Sequence, residues 1–230
     1  MNIYTRGFLS VISVLCCYEV SIANDFYVRT DIGLSKSTKI DNKQTFYKKG
    51  GERRLNSGIT YSLGLGYKFN DHFRTELAYS KVSNLKYSAK VTSTKEYKQK
   101  IKLQAVMLNS YYDISSAYKI KPYVGIGLGY TNIKPGDASR TSGTNSTMTY
   151  KANNSNNFTY SLMTGVSVSM TDKLNLDIGY RFQDYGKTRK FYAKNLNNTQ
   201  WKNYPAKDSG IKIKTHNLTV GVRYNFTTGK

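Results

Sequence analysis

Between residues 58 and 69 every second side chain is apolar. Ile59, Tyr61, Leu63, Leu65, Tyr67 and Phe69 alternate with Thr60, Ser62, Gly64, Gly66 and Lys68. A period of two is the signature of a β-strand with one face on an apolar medium and the other on polar groups. Residues 174–185 repeat it, with Leu174, Leu176, Ile178, Tyr180 and Phe182 opposite Asn175, Asp177, Gly179, Arg181 and Gln183. Residues 215–226 do so again, with Leu218, Val220, Val222, Tyr224 and Phe226 opposite Asn217, Thr219, Gly221, Arg223 and Asn225. Segments of the same kind occupy 25–35, 73–80, 101–112, 122–131 and 158–170. In 101–112 the phase is blurred, because Val106 and Leu108 fall on the face read as polar. Each is about ten residues long, enough for a tilted strand to cross a bilayer.

Eight such segments predict an all-β chain, an eight-stranded antiparallel transmembrane β-barrel. The connections alternate in length, as such a barrel requires. Asn70-Asp71-His72 and Thr171-Asp172-Lys173 are tight turns and 113–121 is a modest one. Between them lie four long polar segments, 36–57, 81–100, 132–157 and 186–214, read as extracellular loops opposite short periplasmic turns. Within them, 139–157 is a loop by its Asn, Ser and Thr content. Ile211 and Ile213 fall out of phase with the last strand, which points to a hairpin extension above the membrane or to a bulge.

The two faces separate a membrane barrel from a secreted soluble β-protein. The apolar face carries Tyr or Phe near both ends, as an aromatic girdle does. The other face mixes small residues with Arg29, Asp31, Arg74, Glu76, Asp177, Arg181 and Arg223. A sandwich core could hold those charges only if each were paired. A narrow barrel can pair them across its lumen, so they are read as a barrel-interior charge network. Eight strands leave a lumen that side chains fill. The network is therefore expected to be a structural plug, ahead of a narrow or gated channel.

Composition removes other classes. Outside the N-terminus no apolar run approaches the roughly 18 to 20 residues of a spanning helix. The two cysteines, Cys16 and Cys17, are adjacent and give no disulfide scaffold. Residues 1–23 read as a cleaved signal peptide: Arg6, an apolar core at 8–18, and small residues before a cleavage point between Ala23 and Asn24. The barrel domain is then 24–230, with no appended domain expected, and both cysteines leave with the signal.

Candidate chemistries are sparse. His72 and His216 are the only histidines, and neither belongs to a visible Ser/His/acid set, so an enzyme is not expected. No metal site is expected without a cysteine or a His pair at ligand spacing, and no cofactor. The run Gly125-x-Gly127-x-Gly129 lies inside a strand with no helix after it. It is no phosphate loop, and is read as room for large interior neighbours.

What remains is charge. The 35 Lys+Arg against 14 Asp+Glu give a net charge of +21. Lys48, Lys49, Arg53 and Arg54 cluster in the first long segment. Lysines recur through the second. Lys187, Arg189, Lys190, Lys194 and Lys202 lie in the fourth with Trp201 and Tyr204 among them. One reading is a solvated rim against lipopolysaccharide phosphates. The sharper reading is a binding surface for anionic host partners, since aromatics and Arg are common interface anchors. Nucleic acid is not an expected partner, given the export signal.

Particular stretches resemble a family. They are Leu108-Asn109-Ser110-Tyr111-Tyr112-Asp113, the 121–129 run, Asn157-Phe158-Thr159-Tyr160, the 180–188 run, His216-Asn217-Leu218 and Gly221-Val222-Arg223-Tyr224-Asn225-Phe226. Together they resemble the small opacity-type outer-membrane β-barrels, especially the rickettsial-type surface adhesins. The resemblance implies outer-membrane localisation and, for the adhesin branch, host-cell attachment and capture of serum vitronectin through exposed loops. It also implies that Tyr224 and Phe226 form the terminal aromatic signal read by the barrel-assembly machinery. Here Thr227 to Lys230 follow that signal, a departure from its strict form. The alternative function is a small structural or porin-like protein without a specific partner.

Overall fold

The computed structural model describes residues 25–38, 53–55, 57–92, 95–115, 119–136, 138–142, 146–152, 154–187, 191–193 and 212–226. The export signal, with Ala23 and Asn24, lies outside the described residues. All regular structure in these segments is β. The strands are β1 (Phe26–Ser37), β2 (Arg53–Leu55), β3 (Gly58–Lys68), β4 (Phe73–Thr92), β5 (Lys95–Asp113) and β6 (Ile120–Pro135). They continue with β7 (Ala138–Ser142), β8 (Ser146–Ala152), β9 (Ser155–Ser169), β10 (Leu174–Lys187), β11 (Phe191–Ala193) and β12 (Lys212–Asn225).

Eight of them close a barrel in the order β1-β3-β4-β5-β6-β9-β10-β12, each antiparallel to its neighbours. The first and last strands complete the ring, from Tyr27 opposite Asn225 to Ser37 opposite Thr215. Closure leaves no open edge within the membrane, where an unpaired backbone group would cost several kcal/mol. In β1 the odd positions Tyr27, Arg29, Asp31 and Ser35 are buried, and Ile32 and Leu34 are exposed. β3, β10 and β12 alternate in the same way. Outward aromatics form two girdles. Phe26, Tyr67 and Phe69 meet edge to ring near the turn rim, as do Tyr224 and Phe226, and Phe73 packs tilted on Phe69. Near the other rim Tyr130 meets Phe158 edge to ring and Tyr160 packs tilted on Phe182.

The structure corrects the expected strand ends in four places. Residues 81–100 are not a loop: β4 and β5 run for 20 and 19 residues. At about 3.3 Å per residue each is about 65 Å long, twice what a crossing needs. Residues 139–157 are not one loop either, because they hold β7, β8 and the start of β9. Their Thr and Tyr content suits strands once a neighbouring edge offers backbone partners. Asp113 is the last residue of β5 and points inward, instead of opening a turn. Finally, Ile213 is in phase with Thr215 and Asn217 and fully buried. It is an apolar residue on the inner face, not a residue out of register; Ile211 lies outside the described residues.

The phase of β5 explains its blur. Val106, Leu108 and Tyr112 are exposed and Ile101, Leu103, Ala105 and Met107 are buried. The face read as polar is the outward face, and the apolar residues that seemed to define the strand fill the lumen. Two irregularities sit at the loop end. Asn84 has φ 64° where β4 slips against β5 between Val82 and Leu85. Asn tolerates the left-handed region, and the slip turns both Val82 and Leu85 inward. Gly186, at φ 77°, does the same for β10 between Asp184 and Lys187.

Candidate functional site

The lumen is built in two layers. The layer nearer the turns is charged. Asp31 accepts from Arg29 at 2.8 Å, and Asp177 sits 3.4 Å from Nε of both Arg29 and Arg223. Ser62 donates to Asp31 at 2.7 Å, and Arg223 to Ser167 at 2.6 Å. Nε of Arg74 lies 2.9 Å from Asp113, and its Nη1 donates to the Tyr27 hydroxyl at 3.2 Å. Glu76 accepts from Tyr111 at 3.2 Å and from Asn109 at 3.3 Å. The guanidinium of Arg74 also lies over the Tyr111 ring, 4.0 Å from its centre. Tyr111 in turn meets Tyr123 edge to face at 5.7 Å.

All seven residues named from sequence are therefore buried, and Arg181 faces the same lumen. The acid that sequence reasoning missed is Asp113. In sequence it reads as the start of a turn, although its phase matches Asn109 and Tyr111, four and two residues earlier. With it, Arg29, Arg74, Arg181 and Arg223 stand against Asp31, Glu76, Asp113 and Asp177. The buried charges balance, four cations against four anions, and the half-buried Lys68, opposite Arg74 at the turn end, adds one more cation. Glycine provides the room. A Cβ on Gly66 would overlap the Tyr27 ring, one on Gly64 would lie 2.7 Å from the Glu76 carboxyl carbon, and one on Gly179 would lie 2.5 Å from the Tyr123 hydroxyl.

The layer nearer the loops is apolar. Val82, Leu85, Ile101, Leu103, Ala105, Met107, Ile133, Tyr185 and Ile213 form one buried cluster across β4, β5, β6, β10 and β12. Between the layers lie uncharged groups, Thr131 hydrogen-bonded to Thr159 at 2.6 Å among them. The barrel is thus filled twice, by ion pairs below and by hydrocarbon above.

Beyond the membrane the long segments gather into one sheet. β4 and β5 pair on to Thr92 opposite Lys95. β2 adds to β4, with Arg53 opposite Ala89 and Arg54 opposite Ser88. β7 adds to β5, β8 to β7, and β11 to β8. Pieces of all four long segments therefore join a single sheet, in the order β11-β8-β7-β5-β4-β2. Of the loop residues singled out from sequence, Arg53 and Arg54 lie on β2 and Lys187 ends β10. Lys48, Lys49, Arg189, Lys190, Lys194, Trp201, Lys202 and Tyr204 lie outside the described residues.

Among the described residues neither histidine has a nucleophile and an acid side chain aligned with it. Nδ1 of His72 lies 3.1 Å from the backbone carbonyl of Asp113, whose carboxylate is turned to Arg74. Ser115 Oγ lies 3.5 Å from both ring nitrogens. His216 pairs with the Tyr180 hydroxyl at 2.5 Å on the outward face. Among the described residues no three His, Cys, Asp or Glu side chains gather as metal ligands.

Known proteins share this architecture. A "Putative adhesin" of Rickettsia prowazekii (strain Madrid E) is 26% identical over 223 residues, covering 94% of each chain. Another protein of that name, from Rickettsia conorii (strain ATCC VR-613 / Malish 7), is 28% identical over 89% of this chain and 84% of its own. Among solved structures, Neisserial surface protein A superposes with a TM-score of 0.53 at 23% identity, over 87% of this chain and 96% of that one. It shares the fold. The sequence model of the outer membrane protein beta-barrel domain matches residues 8–226. The chain belongs to that family, as a protein of the bacterial outer membrane.

Proposed function

We propose that this protein is a surface adhesin. In this reading the barrel is an anchor without catalytic chemistry, and the sheet above the membrane meets a host cell-surface or serum protein of the vitronectin kind, or an anionic glycan. The observation that carries it is the extracellular sheet. Segments of all four long connections are joined there by backbone hydrogen bonds, with Arg53, Arg54, Lys90, Lys95, Lys98, Arg140 and Lys151 on its strands against Glu96. A backbone-paired sheet is ordered before binding, which lowers the ordering cost of binding. Relatives named as adhesins support the same reading. Tyr224 and Phe226, exposed at the turn-side girdle, suit recognition by the barrel-assembly machinery.

The porin-like alternative is weakened by the two filled layers of the lumen. Host-cell binding by the refolded barrel, measured across a salt series, tests the reading. The comparison is a version with 188–211 replaced by Gly and Ser. Binding that falls with salt and drops in the replaced version is the expected result. Salt-independent binding refutes an electrostatic role for the loop cations, and equal binding by both versions refutes a role for those of 188–211.

A further inference from the structure

On the outward face, directly above the apolar belt, lysines stand opposite lysines. Lys102 of β5 faces Lys134 of β6, Lys86 of β4 faces Lys100 of β5, and Lys187 of β10 faces Lys212 of β12. All six are exposed. Directly opposed side chains in an antiparallel pair have Cβ atoms about 4.5–5.5 Å apart, and like charges there are destabilising. Among the described residues a carboxylate offsets the repulsion at one of these pairs, Lys187/Lys212, and at Lys102/Lys134 and Lys86/Lys100 none does. Among the described residues, the outward acid at this level is Asp184. It is already 3.0 Å from Lys212 and 3.8 Å from Lys214.

The level is informative. Lys134 lies four residues beyond Tyr130, the last outward aromatic of β6. Four residues span about 13 Å of strand, or about 10 Å along the membrane normal at a tilt of about 40°. That height is the headgroup layer, just outside hydrocarbon. Lys36 and Lys81 continue the row on β1 and β4. At the turn rim the outward positions are aromatic instead, from Phe26, Tyr67 and Phe69 to Tyr224 and Phe226.

We propose that the facing lysine pairs form a collar for the phosphates of an outer-leaflet glycolipid of the lipid A class, each pair holding one phosphate. The occupant follows from charge complementarity and from continuity with the lipid-facing belt. Glycerophospholipid phosphates would be met at both rims, whereas the pairs stand at the loop rim alone among the described residues. A phosphate between two ammonium groups makes two charge-assisted hydrogen bonds and removes the repulsion. The inference rests on the outer-membrane location and not on adhesion.

The test uses the refolded full-length barrel in detergent, with retention of diphosphoryl lipid A read by native mass spectrometry. The variant K86Q/K100Q/K102Q/K134Q is compared with a turn-rim control, K119Q/K173Q. The expected result is at least a tenfold loss of lipid A affinity in the collar variant and none in the control. Dephosphorylated lipid A and phosphatidylglycerol should bind the wild type no better than lipid A binds the collar variant. Equal retention by wild type and collar variant overturns the proposal. So does retention of phosphatidylglycerol as tight as that of lipid A, which would mark a general anionic-lipid surface. Should the variant not fold, amine acetylation of the wild type decides: lipid A must protect Lys102 and Lys134, and equal labelling with and without it overturns the collar.

Discussion

Replacing Asp113 by Asn removes the carboxylate that lies 2.9 Å from the fully buried Arg74 and leaves its shape. The guanidinium keeps its Tyr27 bond and its place over Tyr111, but loses its counter-charge. Breaking a buried ion pair from one side costs about 3–5 kcal/mol, because the surviving charge stays desolvated. With a urea slope of about 2 kcal/mol/M, the unfolding midpoint should fall by about 1.5–2.5 M. The double variant R74M/D113L removes both charges. Methionine keeps contact with the aromatic rings, and exchange of a buried pair for apolar groups is often neutral. Its midpoint should return to within about 1 kcal/mol of the wild type. The assay is urea unfolding in detergent micelles, followed by the heat-dependent gel shift of the closed barrel and by far-ultraviolet circular dichroism. If D113N costs less than about 1 kcal/mol, or the double variant is no better than the single, the counter-charge argument is refuted. Water would then be solvating Arg74, and the lower layer would not be a dry seal.

The remaining tests address other parts of the molecule. Purified wild-type protein should give no steady conductance in planar bilayers, since ions would have to cross both the ion-pair layer and the apolar cluster capped by Leu85, Met107 and Ile133; a stable single-channel current refutes the double seal. Gly66→Val should destabilise the barrel by about 1–3 kcal/mol through overlap with the Tyr27 ring, read as an earlier gel-shift transition, and G66V/Y27A should recover part of the loss. Met107→Ala should cost about 2–5 kcal/mol, as a buried Met does in a core; a loss below about 1 kcal/mol would mean that the upper lumen is not packed.

The barrel was legible in sequence wherever the two faces meet different solvents. In β3, β10 and β12 the outward side meets lipid and the inward side is polar, so a period of two marks both. β5 defeats that reading because its inner face changes character along the strand. Asn109, Tyr111 and Asp113 line the charged layer, while Ile101, Leu103, Ala105 and Met107 line the apolar one. Hydrophobicity alone cannot separate a lumen-filling Leu103 from a lipid-facing Leu108. That ambiguity hid Asp113, and with it the acid that balances Arg74. The strands above the membrane were hidden for a different reason. Water meets both faces there, so no apolar alternation is needed, and backbone pairing to β4 and β5 supplies the order. The opposed lysines were invisible because facing pairs depend on register across strands, as with Lys102 and Lys134, which are far apart in the chain.

Charge is the property that links these parts. The chain carries +21, yet the four arginines and four carboxylates buried in its lumen cancel, and the half-buried Lys68 at the turn end adds only one. The surplus therefore lies outside the barrel. Among the described residues, exposed lysines stand at both rims, with the facing pairs at the loop rim, and further cations lie on the strands of the extracellular sheet. Neutrality inside is what folding in a low-dielectric ring demands, because an unbalanced charge there has no solvent to relax into. Nothing in folding demands the excess outside, where like charges repel across Lys102 and Lys134. A chain that balances its interior charge by charge, and leaves its exterior unbalanced, locates its selected electrostatics at the surface. Lumen substitutions should then change stability, and substitutions of the exposed lysines should change binding at the surface and leave the fold intact.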